Sequence, residues 1–323
     1  MIALTLVAAL LLALAVDIWL GEPPVRWHPV VWMGNYLGWA GRRIAPETAA
    51  TGPDYKSFSL GALMWSAGAA TIYVAAWFVQ KTILQLPDVL GAWPGGLLAV
   101  LLLGLLLKPM LAWAMLRSEV LAVEAALGES LEAGRQRLSW LVSRDVAELT
   151  ESEVRESAIE SLAENLNDSV VAPIFWFVLL GLPGAALYRF ANTADAMWGY
   201  RGMRNGRVWE WAGKWAAWAD DVLSWLPART TAVLLMVLAR RTDWRMLGQQ
   251  ARRTPSPNSG WPMAAMALCL GVRLGKPGVY TLNPEGRVVG SWDTPTAIFY
   301  ARNMVVAQVL IAAIAMILIE RWM

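Results

Sequence analysis

Several residue types on which common enzyme sites depend are nearly missing from this chain of 323 residues. It has one cysteine, Cys269, and one histidine, His28, which excludes an internal disulfide and a metal centre of the Cys/His kind. Neither the phosphate-binding pattern G-x-x-x-x-G-K-[ST] nor the nucleophile pattern G-x-S-x-G occurs. Any nucleotide would therefore be held by an unconventional site. We interpret Cys269 as a small buried hydrophobic residue.

Charge is also scarce, because only 16% of the residues are charged, whereas an ordinary soluble domain has about 25%. The net charge of +2 and the lack of basic runs with interleaved aromatic residues argue against nucleic acid as a partner. What the chain has instead is apolar sequence, since 57% of its residues are hydrophobic. Its 20 tryptophans suit a protein with many membrane interfaces. The composition therefore indicates a membrane protein.

Four uncharged or nearly uncharged runs are each close to the roughly 20 residues that cross a bilayer. They are residues 1–20, in which only Asp17 is charged, and residues 57–79, 89–107 and 303–319. We interpret the first run as a retained helix, because it has neither a basic start nor a small-x-small cleavage site. Four transmembrane helices are thus expected.

Two further apolar segments contain residues that interrupt helices. Residues 170–187 contain two prolines, and residues 222–239 contain Pro227 and Arg229. Proline removes a helical hydrogen bond, and broken segments at membrane depth survive only where protein covers them or where they line a cavity. We expect at least one of the two segments to be re-entrant or interfacial.

The predicted fold is an all-α polytopic membrane protein with about four full transmembrane helices, two broken or re-entrant apolar segments and a long helical cytoplasmic insertion. Residues 1–323 are expected to form a single membrane-integrated domain. The acid-rich insertion covers residues 108–169, and residues 240–302 form a polar loop region. Arginine and lysine in the loop 21–56 place that loop in the cytoplasm.

An acidic stripe lies directly before one of these apolar segments. Glu153, Glu160, Glu164 and Asp168 recur at helical spacing, and an apolar run begins at Val170. Carboxylates on one helix face repel one another unless water, a metal or a cationic partner compensates. Ionisable residues at a membrane segment are by default candidates for function.

The two ends of this stripe call for different interpretations. Thr150 and Glu153 match a capping box, so Glu153 and the neighbouring Glu156 are interpreted as capping and surface residues. The remaining polar residues have no such explanation: Glu160, Glu164, Asn165, Asn167 and Asp168. Magnesium bound to a nucleotide requires one or two carboxylates, which this part of the stripe could supply. A solvated face near the interface is the alternative.

Polar residues at the ends of other segments form a second group of candidates. Asn192 and Asp195 are three residues apart and precede Arg201, an arrangement that fits either phosphate binding or a helix cap with a juxtamembrane arginine. Asp220 and Asp221 precede an apolar run, where either of them could cap the helix. His28 is either a hydrogen-bonded loop residue or a proton carrier.

Arg229 and the segment from Ser256 to Pro262 complete the candidates. An arginine inside an apolar segment normally faces a polar cavity or a paired anion, and Asp221 is one such partner. Ser256 and Asn258 belong to a turn that should lead into a helix with Pro262 near its first position. Helix N-termini of this kind can bind anions.

Taken in order, these motifs resemble the CobD/CbiB family of cobalamin biosynthesis, the adenosylcobinamide-phosphate synthases. The matching segments extend over nearly the whole chain: HPVVWMG (28–34), SRD (143–145), ESLAENLNDSVVAPIFWF (160–177), LPGAALYRFANTADAMWGYR (182–201), ADDVLSWLPARTT (219–231) and SPNSGWPMAAMALCLGVRLG (256–275). Two positions depart from the family pattern. Met263 replaces an expected acid, and Lys276-Pro277 replaces Gly-Gly in what we interpret as only a loop.

The resemblance implies a multi-pass enzyme of the cell inner membrane with its active site facing the cytoplasm. It would join adenosylcobyric acid to (R)-1-aminopropan-2-ol or its O-phosphate through an amide at the ring D propionate, with consumption of ATP. The implied partners are this corrinoid, the aminopropanol or aminopropanol phosphate and the lipid bilayer. A complex with other B12-pathway membrane enzymes is a further expectation.

A mechanism that fits these residues has the propionate attack the γ-phosphoryl group of ATP, after which the amine displaces phosphate. We assign Mg²⁺ to Glu160, Glu164, Asp168 and Asp195. Contacts to nucleotide, phosphates or propionates are assigned to Arg144, Asn165, Asn192, Arg201, Arg229, Ser256 and Asn258. The ammonium proton would pass to Asp220, Asp221 or His28. A membrane transporter or regulator without covalent chemistry, or a scaffold for other B12 enzymes, is the alternative.

Overall fold

The computed structural model describes residues 2–322, which are overwhelmingly helical. They form two compact units, each assembled from separate stretches of chain. The first unit contains the residues up to Leu111, then Ala172–Leu223 and the segment from Ala312 onward; the second contains Ala112–Val171 and Ser224–Ile311. A single domain over residues 1–323 stays a prediction.

The first unit is built mainly from apolar helices. Its elements are α1 (Ile2–Leu20), α2 (Pro29–Ile44), α3 (Tyr55–Leu84), α4 (Leu86–Leu90), α5 (Ala92–Leu107), α9 (Ala172–Leu180), α10 (Leu182–Trp198) and the short hairpin β1 (Met203–Arg204) with β2 (Arg207–Val208). Helix α1 packs against α5, and α10 packs against α2, α3 and α9. Fully buried Leu37, Tyr188, Phe190 and Trp198 form part of its core.

The second unit surrounds one buried helix. Its elements are α6 (Trp113–Glu129), α7 (Leu131–Leu138), α8 (Glu151–Leu166), a π-helical segment (Asn167–Val171), α12 (Trp244–Ala251), α13 (Gly260–Leu270) and the hairpin β3 (Leu274–Lys276) with β4 (Tyr280–Leu282). Helices α6, α7 and α13 and strand β3 all pack against α8. Two long helices, α11 (Lys214–Leu238) and α14 (Asp293–Trp322), each contribute residues to both units.

Five helical segments of the described chain are long and apolar enough to cross a membrane. They are Ile2–Leu20, Tyr55–Leu90, Ala92–Glu129, Lys214–Leu238 and Asp293–Trp322. Four of them confirm the predicted transmembrane helices, and an all-α polytopic membrane protein is confirmed. The fifth corrects the prediction, because the segment 222–239 was expected to be broken, whereas residues 222–238 belong to one continuous helix.

Helix α11 stays intact because a side chain replaces the hydrogen bond that Pro227 cannot make. Proline has no N–H to donate to the carbonyl four residues earlier. The indole Nε1 of Trp176 donates to that carbonyl, the Leu223 oxygen, over 3.0 Å. The Pro227 carbonyl in turn accepts from the Thr231 hydroxyl over 2.9 Å. The break at 170–187 is confirmed, since Gly181, at φ 69°, separates α9 from α10.

Residues 108–169 contain α6, α7 and α8, with a non-helical stretch over 139–150. That they form an insertion in the cytoplasm stays a prediction. The expectation of a polar loop over 240–302 is wrong, because α12, α13 and the β3–β4 hairpin lie there. Helix α13 is apolar but has only 11 residues, which is too short to cross a bilayer, and it is almost wholly buried within the second unit. Its Gly260 start places Pro262 in the first turn, as predicted.

Candidate functional site

Four of the predicted site residues meet in one polar cavity of the second unit. The cavity measures about 180 Å³ and is lined by Arg144, Glu160, Glu164 and Asn165, together with serines of α8. Helix α8 supplies the last three. Glu160 and Glu164 are four residues apart and so lie on the same helix face, and Asn165 directly follows Glu164. The loop after α7 supplies Arg144, so residues 16 positions apart in sequence meet here.

The cavity contains a buried ion pair between Arg144 and Glu160. The Arg144 Nη2 donates to Glu160 Oε2 over 3.0 Å, and the two side chains are 16% and 3% exposed. Burial raises the pKa of the Glu160 carboxyl, although Arg144 opposes this shift. Among the described residues, neither Arg144 Nη1 nor Glu160 Oε1 has a hydrogen-bond partner, and both atoms are buried. Arg144 Nη1 is thus left over to donate to a ligand, whereas the Glu160 carboxylate also interacts with the nearby Tyr280 hydroxyl.

The β3–β4 hairpin supplies two residues that the sequence did not point to. Lys276, at the end of β3, and Tyr280, at the start of β4, line the same cavity as Glu160. Burial, and then the nearby Glu160, raise the pKa of the Tyr280 hydroxyl. The interpretation of Lys276-Pro277 as only a loop is therefore wrong. The signal that could have found the hairpin is Pro277-Gly278 between two apolar runs, with Gly278 at φ 72°.

A second and larger cavity adjoins this hairpin. It measures about 480 Å³ and is lined by Glu153, Glu156, Arg273, Lys276 and Tyr280, together with the hairpin turn. Glu153 forms the predicted capping box, which is confirmed. Glu156, in contrast, was predicted to be a surface residue, and that is wrong, because only 3% of it is exposed. Helix α8 carries acids on a face that the hairpin covers.

The two other polar residues of the stripe lie beyond α8 in the π-helical segment. Asn167 is buried, donates from Nδ2 to Asp168 Oδ1 over 2.8 Å and accepts at Oδ1 from the Thr231 hydroxyl over 3.1 Å. These bonds give Asn167 a structural role. Asp168 is not among the residues that line either cavity, so its assignment to Mg²⁺ stays a prediction.

Arg229 is engaged by the turn that contains Ser256 and Asn258. Its Nη1 donates to Asn258 Oδ1 over 3.0 Å, and its guanidinium lies over the rings of Trp225 and Trp261. Ser256 Oγ accepts from the N–H of Asn258 over 3.2 Å. The structure therefore explains these three residues as a brace between α11 and the start of α13. Their predicted contacts to a ligand stay untested.

In the first unit, His28 belongs to a partly buried cluster of ionisable side chains that the sequence did not reveal. Its Nδ1 accepts from the N–H of Val30 and caps α2, and its Nε2 lies 3.1 Å from Glu22 Oε2. The Lys108 Nζ lies 2.7 Å from Glu22 Oε2 and 3.2 Å from Asp17 Oδ1. His28 thus has a clear structural role, and proton transfer by it stays a prediction.

The remaining predicted residues also lie in the first unit. Asn192 and Asp195 are half-buried on α10, and the Asp195 carbonyl accepts from Gly199 at the helix end. Arg201 is exposed, and its positive charge attracts the carboxylate of Asp221. Asp220 is half-buried beside Asp221. Their predicted roles stay predictions.

Of the four residues assigned to Mg²⁺ from the sequence, only Glu160 and Glu164 line the smaller cavity. Within residues 2–322, no group of three or more histidine, cysteine, aspartate or glutamate side chains is placed to hold a metal ion. Magnesium on a nucleotide needs only one or two carboxylates, because phosphates and water complete its octahedron. Glu160 and Glu164 lie one turn apart on α8. These two residues fit such a site.

Comparison with known proteins identifies the family. The family model described as CobD/Cbib protein matches residues 10–305. The chain belongs to the CobD/CbiB family. It is 43% identical over 284 residues to "Probable cobalamin biosynthesis protein CobD" of Methanothermobacter thermautotrophicus, covering 85% of this chain and 86% of that protein.

Other relatives in the family agree. "Cobalamin biosynthesis protein CobD" of Chromobacterium violaceum is 40% identical over 266 residues, covering 82% of this chain and 80% of that protein. "Probable cobalamin biosynthesis protein CobD" of Methanothrix thermoacetophila is 36% identical over 322 residues and covers 97% and 98% of the two chains. No solved structure matches the chain. The protein is thus a multi-pass member of a cobalamin biosynthesis family.

Proposed function

We propose that this protein is an ATP-dependent amide ligase that joins adenosylcobyric acid to (R)-1-aminopropan-2-ol or its O-phosphate. The observation that carries the proposal is the smaller cavity, in which Arg144, Glu160, Glu164 and Asn165 meet. A family of cobalamin biosynthesis proteins supplies the chemical context. The bilayer is the environment, and an inner-membrane location with a site facing the cytoplasm belongs to the proposal.

The proposed reaction has two balanced steps. The corrinoid carboxylate attacks the γ-phosphorus of ATP, the bond to the β–γ bridging oxygen breaks, and ADP leaves. The amine nitrogen then attacks the acyl carbon, phosphate leaves with the electrons of the C–O bond, and the nitrogen loses a proton. Phosphoryl transfer of this kind depends mainly on positioning and on neutralisation of charge.

The residues of the smaller cavity can supply both the positioning of the phosphates and the neutralisation of their charge. Arg144 keeps its side chain in place through Glu160 and has Nη1 left to donate to a phosphate oxygen. Lys276 adds a second positive charge to the same cavity. Magnesium would supply further charge neutralisation when bound with ATP, held by Glu160 Oε1 and Glu164. Asp168, in the same unit, is proposed as a further ligand. The roles assigned from the sequence to Asp195, Asp220, Asp221 and His28, which belong to the first unit, stay predictions.

The test is ADP release by the purified full-length protein in nanodiscs. We expect release only when adenosylcobyric acid, the amine, ATP and Mg²⁺ are all present. Arg144→Gln should lower kcat by about 100-fold, as removal of one preorganised donor to developing charge does. Arg252→Gln is the matched control, because Arg252 is exposed and lines neither cavity.

Other outcomes would reject the proposal. Release of ADP without corrinoid or amine would show an ATPase without ligation. No release under any combination, together with corrinoid uptake into sealed vesicles, would favour the transporter alternative. Equal activity of Arg144→Gln and wild type would remove the smaller cavity from the site.

A further inference from the structure

The larger cavity, under the β3–β4 hairpin, has both signs of charge on its walls. Its lining includes the acids Glu153 and Glu156 of α8 and two cations, Lys276 of β3 and Arg273, which directly precedes β3. Its volume of about 480 Å³ lies within the range of small-molecule sites. A lining with both signs of charge complements a small ligand that carries a cation at one end and an anion at the other.

The acidic and basic side chains that line this cavity do not form tight ion pairs with one another. The Arg273 Nη2 lies 3.5 Å from Glu156 Oε1, and its side chain is 44% exposed. That separation exceeds the usual N–H···O hydrogen-bond distance of about 2.7–3.2 Å, so the pair is loose. Within residues 2–322, Lys276 is not among the residues in ion pairs. A buried carboxylate opposite two cations of this kind can exchange its loose partner for a ligand.

The hairpin backbone leaves the Glu156 carboxylate accessible from the cavity. Gly275 lies above it, and a Cβ at this position would be 3.6 Å from Glu156 Oε2 and 3.2 Å from the Tyr280 carbonyl oxygen. The lack of a side chain at Gly275 therefore keeps open the space in front of the acid. Lys276, the next residue, lines both this cavity and the smaller one.

We infer that the larger cavity is the amine site, in which Glu156 binds the ammonium group and Lys276 with Arg273 binds an anionic substituent of the same small molecule. The inference rests on the proposed function, which supplies an amine as the second substrate. It assigns phosphoryl transfer and amine binding to two cavities that share Lys276 and Tyr280. The amine would thus be held next to the cavity where the carboxylate is activated.

Calorimetry on the full-length protein in nanodiscs, without corrinoid or ATP, tests this assignment with three probes. They are 1-aminopropan-2-yl phosphate with both charges, 1-aminopropan-2-ol with the cation alone and propan-2-yl phosphate with the anion alone. We expect the doubly charged probe to bind most tightly. Glu156→Gln should weaken both probes that carry the ammonium by about 10- to 100-fold and leave propan-2-yl phosphate unchanged.

A second variant keeps the test decisive if Glu156→Gln fails to fold. Lys276→Gln changes a half-buried hairpin residue and should weaken the two phosphate probes while leaving 1-aminopropan-2-ol unchanged. Glu148→Gln, an exposed acid that lines neither cavity, should leave all three unchanged. Binding of the doubly charged probe that is equal in wild type, Glu156→Gln and Lys276→Gln would overturn the inference, as would no binding to the wild type.

The probe experiment distinguishes a failure of this inference from a failure of the ligase proposal. If the wild type forms no amide but shows the expected probe pattern, the ligase proposal fails, and the larger cavity is still a binding site for a small amine that carries an anionic group. If the wild type forms amide and neither variant alters probe binding, the amine site lies elsewhere and the ligase proposal stands.

Discussion

Substitutions in the Arg144–Glu160 ion pair test the structure of the smaller cavity most directly. We consider three variants: Glu160→Gln, which removes the charge and nearly preserves the shape of glutamate, Arg144→Gln, which removes the opposite charge with a shorter polar side chain, and the double variant. The pair is 3.0 Å long, and its side chains are 3% and 16% exposed. Each single change therefore leaves one charge in a poorly hydrated position, whereas the double change leaves none.

The magnitude follows from that geometry. Two unit charges 3.0 Å apart attract by roughly 5 kcal/mol at an effective dielectric constant near 20, and loss of hydration offsets much of this attraction. Removal of one partner from a buried pair costs about 3 kcal/mol, since the other charge stays uncompensated. We therefore expect Arg144→Gln to lose about 3 kcal/mol of unfolding free energy. Glu160→Gln should lose less, because burial raises the pKa of Glu160 and so already disfavours its charged form. The double variant should lose about 2 kcal/mol less than the sum of the two.

Unfolding by SDS titration, followed by tryptophan fluorescence, measures these differences on the purified chain. Glu148→Gln and Arg252→Gln are exposed controls and should change stability by no more than about 0.5 kcal/mol. Additive losses in the double variant, or single variants as stable as these controls, would refute the buried pair. The interpretation of the cavity as a charged ligand site would then lose its basis.

Three further predictions concern the fold and the charge state of the site. Trp176→Phe should cost about 1 kcal/mol by leaving the Leu223 carbonyl without its donor, and the cost should shrink in a Pro227→Ala background, where a backbone N–H replaces the indole; equal costs in both backgrounds would contradict this. Thr150→Ala should cost about 1 kcal/mol by removal of the capping box, measured by the same SDS titration, and no loss would contradict the cap. Burial raises the pKa of Glu160, so the native state binds more protons than the unfolded state above the ordinary glutamate range. Stability should therefore fall as pH rises from that range through the raised pKa, and Glu160→Gln should flatten this slope in thermal unfolding between pH 4 and 8; an unchanged slope would contradict the shift.

Features that depend on near neighbours in sequence could be predicted. The four confirmed transmembrane helices follow from the length and composition of single segments. The capping box at Thr150 and Glu153 joins residues three apart. The convergence of Glu160 and Glu164 on one face follows from helical periodicity alone. These properties require no knowledge of the tertiary fold.

Features that depend on packing between distant stretches of the chain could not be predicted from the sequence. Nothing near Pro227 shows that Trp176, 47 residues away from Leu223 in sequence, supplies the missing donor. Glu156 was interpreted from the sequence as a surface residue, but it is buried beside Arg273 and the β3–β4 hairpin, which are more than 100 residues away in sequence. Lys108 lies in a sequence context that resembles a membrane flank, yet it pairs with Asp17 inside the first unit. In each case the decisive partner comes from a separate stretch of the chain.

Formation of the amide bond itself tests the proposed function most directly. The purified protein in nanodiscs should be given adenosylcobyric acid, ATP, Mg²⁺ and ¹⁵N-labelled aminopropanol or its phosphate, and the corrinoid then analysed by mass spectrometry. We predict one labelled nitrogen in each product corrinoid and one ADP for each product, with both lost in Arg144→Gln and retained in Arg252→Gln. An unmodified corrinoid, under conditions where the protein is folded and binds its substrates, would contradict the ligase assignment.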